Sequence, residues 1–300
     1  MVDAWHGPGA MRRPILIVNP QATAVTPQSV AKVAAELPEV DVVWTERPGH
    51  GTEIAAAADA DAVFVFAGDG GFNEVLNGIR SEVPAGFIPG GGSSVLPRAL
   101  GLSHEPVVAA RQLAEALRAG RTRRISLGRV NGRRFGFAAA VGFPAEVVRR
   151  VDDLGRADGR RPPDRAFALT VARALIARGG RFEPELEIDG ERAAFALVAN
   201  GDPYTYLAQL PLRFAPDARF ESGLDVVAPR RVRVRDIPRL TVAGVLGRKS
   251  PGVLYRHDLD RLEIRSARPL PLQADGEDLG DVTEASFESE RDAVSVLVPR

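Results

Sequence analysis

The sequence predicts an α/β protein, with a doubly wound parallel-sheet domain at residues 14–122 and a β-rich antiparallel sandwich domain at residues 123–300. Three observations predict it. Between Pro14 and Gly120, short continuous apolar runs alternate with stretches of helical length, the pattern of a parallel sheet covered on both faces. After Arg121, hairpin dipeptides appear at Asn131-Gly132 and Asp189-Gly190, each between runs of strand character. The 300 residues are enough for two cores of ordinary size.

In the first half, Ile15-Leu16-Ile17-Val18 reads as a strand buried on both faces and stops at Asn19-Pro20. Thr26-Pro27 is an N-cap followed by Pro at the first helical position, and the helix runs to about Leu37. Val42-Val43-Trp44 is the second strand, and Thr52 is the expected cap of a helix through the alanine run. Val63 to Phe66 is the third strand, followed by a glycine loop and a helix from Phe72 to Ile79. Gly86-Phe87-Ile88 is the fourth, ending in a second glycine-rich loop. A helix from about Glu105 to Ala119 closes the unit, with Gly120 as its stop.

In the second half, strands are expected at 125–130, 133–140, 186–188, 193–198, 224–227, 253–257, 262–265 and 294–298. Helices are expected near 164–178 and 236–247. Residues 1–13 read as a disordered leader: the opening has neither the basic start nor the apolar stretch of a signal peptide, and Met11 offers an alternative start. No apolar run reaches bilayer-spanning length.

Composition excludes several classes of function. Lys+Arg and Asp+Glu both number 39, so no net charge draws the chain to nucleic acid. Cysteine is absent, which removes disulfides, thiolate metal sites and a cysteine nucleophile. The histidines, His6, His50, His104 and His257, are too scattered for a ligand pair. A cytoplasmic protein fits these features.

The chemistry gathers in three loops at the carboxyl ends of the expected parallel strands: Asn19-Pro20, Gly68-Asp69-Gly70-Gly71 and Gly90-Gly91-Gly92-Ser93-Ser94. Two of them join glycines to a helix start. Free amides and the positive helix end then point at one place, and glycine lets a bulky anion reach the backbone. A polyphosphate suits such a site, which makes the first domain a nucleotide-binding one. Neither loop follows G-x-G-x-x-G, so a dinucleotide fold is the weaker reading.

Asn19-Pro20, Ala67-Gly68-Asp69-Gly70-Gly71-Phe72-Asn73-Glu74 and Pro89-Gly90-Gly91-Gly92-Ser93-Ser94 together resemble the diacylglycerol kinase catalytic domain. That superfamily also holds sphingosine kinases and, more distantly, NAD kinases. Val141-Gly142-Phe143, Asn200-Gly201-Asp202-Pro203-Tyr204-Thr205-Tyr206, Gly223-Leu224-Asp225 and Asp275-Gly276-Glu277 resemble the second domain of the bacterial lipid kinases. The resemblance implies transfer of the ATP γ-phosphate to the hydroxyl of a lipid, diacylglycerol first. It implies that Asn19, Thr45, Gly68, Asp69, Gly70, Gly71, Asn73, Glu74, Gly91, Gly92 and Ser93 hold ATP. It also implies Glu277 as general base, Asp275 and Asp69 beside it in catalysis, and Asp69 and Asp275 as neighbours of Mg2+.

Three departures qualify that expectation. Gly71 stands where the family usually has threonine, Gly92 replaces another threonine, and Ser94 replaces an asparagine. Each lost hydroxyl bond is worth roughly 0.5–1.5 kcal/mol, which motivates the alternative of a catalytically silent nucleotide- or lipid-binding member of the fold. Ser222-Gly223-Leu224 stands where some relatives hold a structural magnesium. An NAD kinase shares only the first loop. Arg230, Arg231, Arg233, Arg235 and Arg239 beside the apolar residues of 236–247 suit a peripheral contact with the inner membrane face. The sequence is compatible with a homodimer without indicating one.

Overall fold

The structure is a computed structural model that describes residues 13–153, 173, 179–207 and 210–300. The expected leader, apart from residue 13, and the expected helix at 164–178, apart from residue 173, lie outside the described residues. The parallel half of the sheet is β1 (Ile15–Val18), β2 (Asp41–Trp44), β3 (Val63–Ala67) and β4 (Ala85–Pro89), in spatial order β4-β3-β1-β2. All of β3 is buried, and its side chains alternate between two cores. Val63, Val65 and Ala67 face one side, Phe64 and Phe66 the other.

The helices divide the same way. α1 (Pro27–Glu36) and α5 (Pro106–Arg118) pack together with Phe64 and Phe66. α2 (His50–Ala57) and α3 (Asp69–Gly78) pack together on the opposite face. Burying one such Phe is worth about 1.5–3 kcal/mol, so both faces are firmly closed. The strand order reverses at β1/β3, where successive crossovers leave to opposite sides and open a crevice at the carboxyl edge. Asn19 follows β1 there and Gly68 follows β3.

Most helix starts follow from local chemistry. Thr26 accepts from the Ser29 amide at 3.1 Å while Ser29 Oγ accepts from the Thr26 amide at 2.8 Å, a complete capping box. Glu105 caps α5 through the Val107 and Val108 amides. Two expected boundaries are corrected. α2 starts at His50, not at Thr52, because a carboxylate from α3 supplies the cap that Thr52 was expected to give. α3 starts at Asp69, not Phe72, so Gly70 and Gly71 lie in its first turn.

The second half is antiparallel. β5 (Thr122–Val130) turns through Asn131-Gly132 into β6 (Arg133–Phe135), and β7 (Ala138–Val141) leads to α6 (Phe143–Asp153). β8 (Arg181–Phe182), β9 (Leu186–Ile188), β10 (Glu191–Ala193) and β11 (Ala196–Ala199) follow. β12 (Thr205–Leu207) and β13 (Leu210–Leu212) form a separate hairpin. Next come β14 (Leu224–Pro229), β15 (Val232–Arg233), a 3-10 turn at Val234–Asp236 and α7 (Ile237–Val245). The chain closes with β16 (Val253–Leu259), β17 (Arg261–Ala274) and β18 (Glu277–Leu297). Asn131-Gly132, Asp189-Gly190 and Asp275-Gly276 all have positive φ at both residues, as type I′ hairpin turns require.

One sheet runs through both halves, in the order β16-β14-β11-β7-β17-β18-β4-β3-β1-β2. The long β18 joins them. Its first part pairs with β17. Its last residues pair with the start of β5, and Val296 lies beside Ala85 of β4 in parallel. Ile125, Leu127, Val294 and Val296 accordingly belong to the same core as α2 and α3.

Candidate active site

The two glycine loops touch through their backbones. A Cβ on Gly91 would stand 2.9 Å from Gly68 Cα, and one on Gly90 would stand 2.8 Å from Ala67 O. The Gly90 amide donates to Ala67 O at 2.7 Å. Glycine is therefore a steric demand at 90 and 91. Asp69, the first residue of α3, spans the pair: its Oδ1 accepts from the amide of Val95 at 2.8 Å, where α4 (Val95–Ala99) begins. Ser94 sits in left-handed backbone at φ 44° and donates its hydroxyl to Gly91 O at 2.9 Å. After glycine, asparagine is among the residues best tolerated there, and Ser94 replaces its local hydrogen bonding.

Gly71 lies in the β1/β3 crevice. A Cβ at this position would be 2.6 Å from the Cβ of Ala67 and 3.4 Å from Asn19 Nδ2. Position 92 differs, since a Cβ there meets nothing within 4 Å. Asn19, Gly68, Asp69, Gly70, Gly71 and the 91–93 loop all line one cleft.

Across the cleft lies the turn Asp275-Gly276-Glu277. Asp275 is buried, and both of its oxygens are occupied. Oδ2 accepts from the Gly136 amide at 2.6 Å and from Asn73 Nδ2 at 2.9 Å. Oδ1 accepts from the amides of Phe137 at 3.0 Å and Ala138 at 3.2 Å. Burial pushes its pKa above the ordinary carboxylate value, and those N–H donors pull the other way. Glu277 is half-exposed and pairs with the Arg133 guanidinium, which also donates to Asn73 Oδ1 at 3.1 Å. Glu277, Arg133, Asn73 and Asp275 thus form one chain of contacts, with Asn73 supplied by α3.

The expected nucleotide residues fall into three groups. Asn19, Gly68, Asp69, Gly70, Gly71, Gly91, Gly92 and Ser93 are together on the cleft wall. Glu74 reaches the cleft, but its carboxylate is taken up: Oε1 accepts from the Gly49 amide and Oε2 from the Gly51 amide, both at 2.9 Å. It caps α2 from outside, and the helix dipole favours its charge. Thr45 follows β2 one strand away, and Asn73 is buried behind the loop; neither is on the wall.

The same cleft continues into the antiparallel half, and its whole volume is about 840 Å³, a size typical of ligand sites. Phe143, Val147, Phe182, Phe195, Leu197 and Leu240 line its apolar end. Tyr204 and Gln273 also line the cleft. Gln273 Oε1 accepts from the Gly276 amide at 2.8 Å while its Nε2 lies 3.5 Å from the Tyr204 hydroxyl. Burial raises the pKa of Tyr204, which keeps the phenol neutral. Beyond the turn, Arg149 of α6 holds Asp278 at 2.8 Å and Asp281 at 2.7 Å. That contact keeps the Asp278 carboxyl below its ordinary pKa.

Asp275 does not fit the expected role of metal ligand, because four N–H donors already point at its oxygens. Asp69 fits better: it lines the cleft, and magnesium is commonly held by one or two carboxylates together with substrate phosphates. Among the described residues no cluster of three or more acidic or histidine side chains forms a metal cage. Sequence reasoning missed Arg133 and helix α6. Arg133 gave no signal, since it meets Glu277 across 144 positions of chain.

Residues 13–130 match the family described as diacylglycerol kinase catalytic domain. The diacylglycerol kinase of Bacillus subtilis (strain 168) is 23% identical over 270 residues, covering 84% of this chain and 82% of that protein. The diacylglycerol kinase of Staphylococcus carnosus (strain TM300) is 25% identical, covering 96% of each chain. In fold, the chain is similar to a diacylglycerol kinase of Bacillus anthracis str. Sterne, with a TM-score of 0.67 at 18% identity over 97% of this chain and 98% of that one. It is similar more distantly to an NAD kinase of Archaeoglobus fulgidus solved with ATP, at a TM-score of 0.52 and 13% identity, covering 96% of this chain and 94% of that one.

Proposed function

The chain belongs, through residues 13–130, to the diacylglycerol kinase catalytic-domain family, and from that premise we propose that it transfers the γ-phosphate of ATP to the hydroxyl of a lipid, with diacylglycerol the first candidate. One observation carries the reading: a single cleft of about 840 Å³ holds the glycine loops and Glu277 at one end and an apolar wall at the other. A triphosphate suits the amide-rich end. An acyl chain suits the end walled by Phe143, Phe195 and Leu240. The reacting hydroxyl would lie between the two.

In this reading the lipid oxygen attacks the γ-phosphorus, its bond to phosphorus forms as the bond to the ADP oxygen breaks, and the proton passes to Glu277. Arg133 holds the Glu277 carboxylate in place and adds positive charge near the transferring group. The amides at the start of α3 and in the 91–93 loop steady the phosphates. Magnesium arriving with ATP would be held by Asp69 and would spread the charge. Domain closure would exclude water from the transfer.

A second reading is a nucleotide- or lipid-binding protein without turnover. The bare positions Gly71 and Gly92, which leave the phosphate loops without two hydroxyls, favour it. Radiolabelled ATP with a panel of lipid alcohols separates the two. Phosphorylated lipid, lost in Glu277→Gln and Asp69→Asn, supports the kinase; saturable binding without product supports the silent form. NADP formation from NAD in the same assay would redirect the reading to the more distant relative. No helix among the described residues is long and apolar enough to cross a membrane. The kinase reading has the protein meet its lipid at a membrane surface as a peripheral enzyme.

A further inference from the structure

We propose that the Gln273 amide and the Tyr204 hydroxyl together hold an ester carbonyl of the lipid beside its reacting hydroxyl, and so make the cleft select acyl-linked over ether-linked glycerolipids. The proposal rests on the lipid-kinase reading for the reacting hydroxyl; the donor pair stands on its own geometry. Gln273, near the end of β17, is only 2% exposed, yet it lines the cleft. Its Oε1 accepts from the Gly276 amide at 2.8 Å. A backbone N–H can only donate, so that bond fixes which end of the side-chain amide is oxygen. The NH2 is thereby turned toward Tyr204.

Two protons of this pair are left to give. Nε2 carries two N–H bonds and reaches the Tyr204 hydroxyl with one of them, at 3.5 Å. The Tyr204 hydroxyl, accepting there, keeps its own proton, and burial holds the phenol in that protonated form. Among the described residues no oxygen accepts the second Nε2 proton or the Tyr204 proton. A buried donor without a partner is costly, so an acceptor that arrives with the ligand is favoured.

The pair has contacts with both ends of the cleft. Its bond to Gly276 ties Gln273 to the turn that carries Glu277. Tyr204 packs with Val95, Phe137 and Ala138, and the amide of Val95 is the one held by Asp69. Tyr204 also packs with Leu197 and Val227, and its ring meets that of Phe214 edge-on at 6.0 Å. Leu197, Phe214 and Val227 belong to the apolar wall.

A carbonyl oxygen has two lone pairs and can take both bonds, one from Nε2 and one from Tyr204. In an acylglycerol such an oxygen stands a few bonds from the free hydroxyl, so one group anchors the lipid while the other faces Glu277. An ether keeps the chain and loses the carbonyl. A long-chain alcohol brings no second acceptor, and a sphingoid ammonium brings donors to a site that offers donors. An N-acyl amino alcohol has the same oxygen but adds an N–H in need of an acceptor, and Gln273 Oε1 is already taken. A site that hydrogen-bonds a substrate group rejects the analogue lacking it far better than an apolar pocket rejects a change in chain length.

The test uses the full chain with water-soluble dihexanoylglycerol and its ether counterpart, dihexylglycerol. Turnover with ATP gives kcat/KM for each, and equilibrium dialysis without nucleotide gives the binding of each. The variants are Tyr204→Phe, which removes only the hydroxyl, and Gln273→Glu, which keeps an oxygen for the Gly276 amide and removes both Nε2 protons. The unaltered protein is expected to favour the ester about tenfold, the worth of one good hydrogen bond or two modest ones. Each variant should cut that ratio at least about threefold. A purely structural role would lower both lipids together and leave the ratio intact. An intact ratio in both variants, equal handling of the two lipids by the unaltered protein, or binding of neither lipid overturns the proposal. Ester-selective binding that the variants lose, with no turnover by any form, upholds the recognition site and removes the kinase reading instead.

Discussion

Ala67 and Gly71 share the space of one methyl group: a Cβ at position 71 would fall 2.6 Å from the Cβ of Ala67. The family pattern GGDGT has glycine first and threonine last, and here the bulk has moved from the last position to the first. The missing threonine is thus half of an exchange.

Gly71→Thr alone should therefore overpack the crevice and cost about 1–3 kcal/mol. Ala67→Gly combined with Gly71→Thr should recover that stability in urea denaturation. The restored hydroxyl should also lower the KM for ATP by up to about tenfold, the equivalent of one good hydrogen bond. A double variant no more stable than the single one would show that the two positions are independent.

Asp275→Asn should destabilise the fold by about 2–4 kcal/mol. The remaining amide oxygen can accept from at best half of the donors now directed at the carboxylate, and the new NH2 leaves the other buried donors without an acceptor. Denaturant midpoints measure this. A loss of activity with unchanged stability would mean that Asp275 acts on substrate directly.

Arg133→Met should leave Glu277 without its cation and Asn73 Oδ1 without one of its donors. If Glu277 is the base, kcat should fall about tenfold or more, with the pH–rate profile displaced, while the KM for ATP changes little. An unchanged profile would remove Arg133 from the positioning of Glu277.

The contact between Arg149 and Asp278 lowers the Asp278 pKa in the folded state, chiefly through the guanidinium hydrogen bond. Its stabilisation is present above the unfolded carboxylate value, near about 3.9, and is lost as pH falls through the depressed folded value. Asp278→Asn should thus be less stable than the parent at pH 7 and converge with it in strong acid. Parallel melting curves across that range would refute the assignment.

Leu240→Trp should narrow the apolar end of the cavity without touching the glycine loops. Turnover of long-chain lipids should fall at least about tenfold, with short-chain turnover and ATP binding preserved, because lost apolar contacts act on the chain alone. Equal losses on both substrates would show that the chain does not enter beside Leu240.

The parallel half of the fold was legible because it is written in local signals. The apolar runs at Ile15 and Val63, the Thr26-Pro27 cap and Gly120 each declare an element within a few residues. The glycine loops were legible as neighbours at one sheet edge for the same reason, and they line one cleft. The start of α2 was not, since its cap is Glu74, more than twenty positions away. Asn73 and Glu74 occur inside a phosphate-loop motif, yet one side chain braces Asp275 and the other seats a helix. Sequence gives residue type and spacing, whereas these roles are set by which way a side chain leaves α3. The pairing of Arg133 with Glu277 depends on the meeting of two hairpins and has no local sign.

The long strand β18 carries a consequence for folding. Val294 and Val296 complete the core beneath α2 and α3, and Val296 lies against β4. A chain in which residues 294–297 have not docked would expose the β4 edge and be open to chaperone capture. Both lobes should therefore acquire protease resistance together, not one after the other.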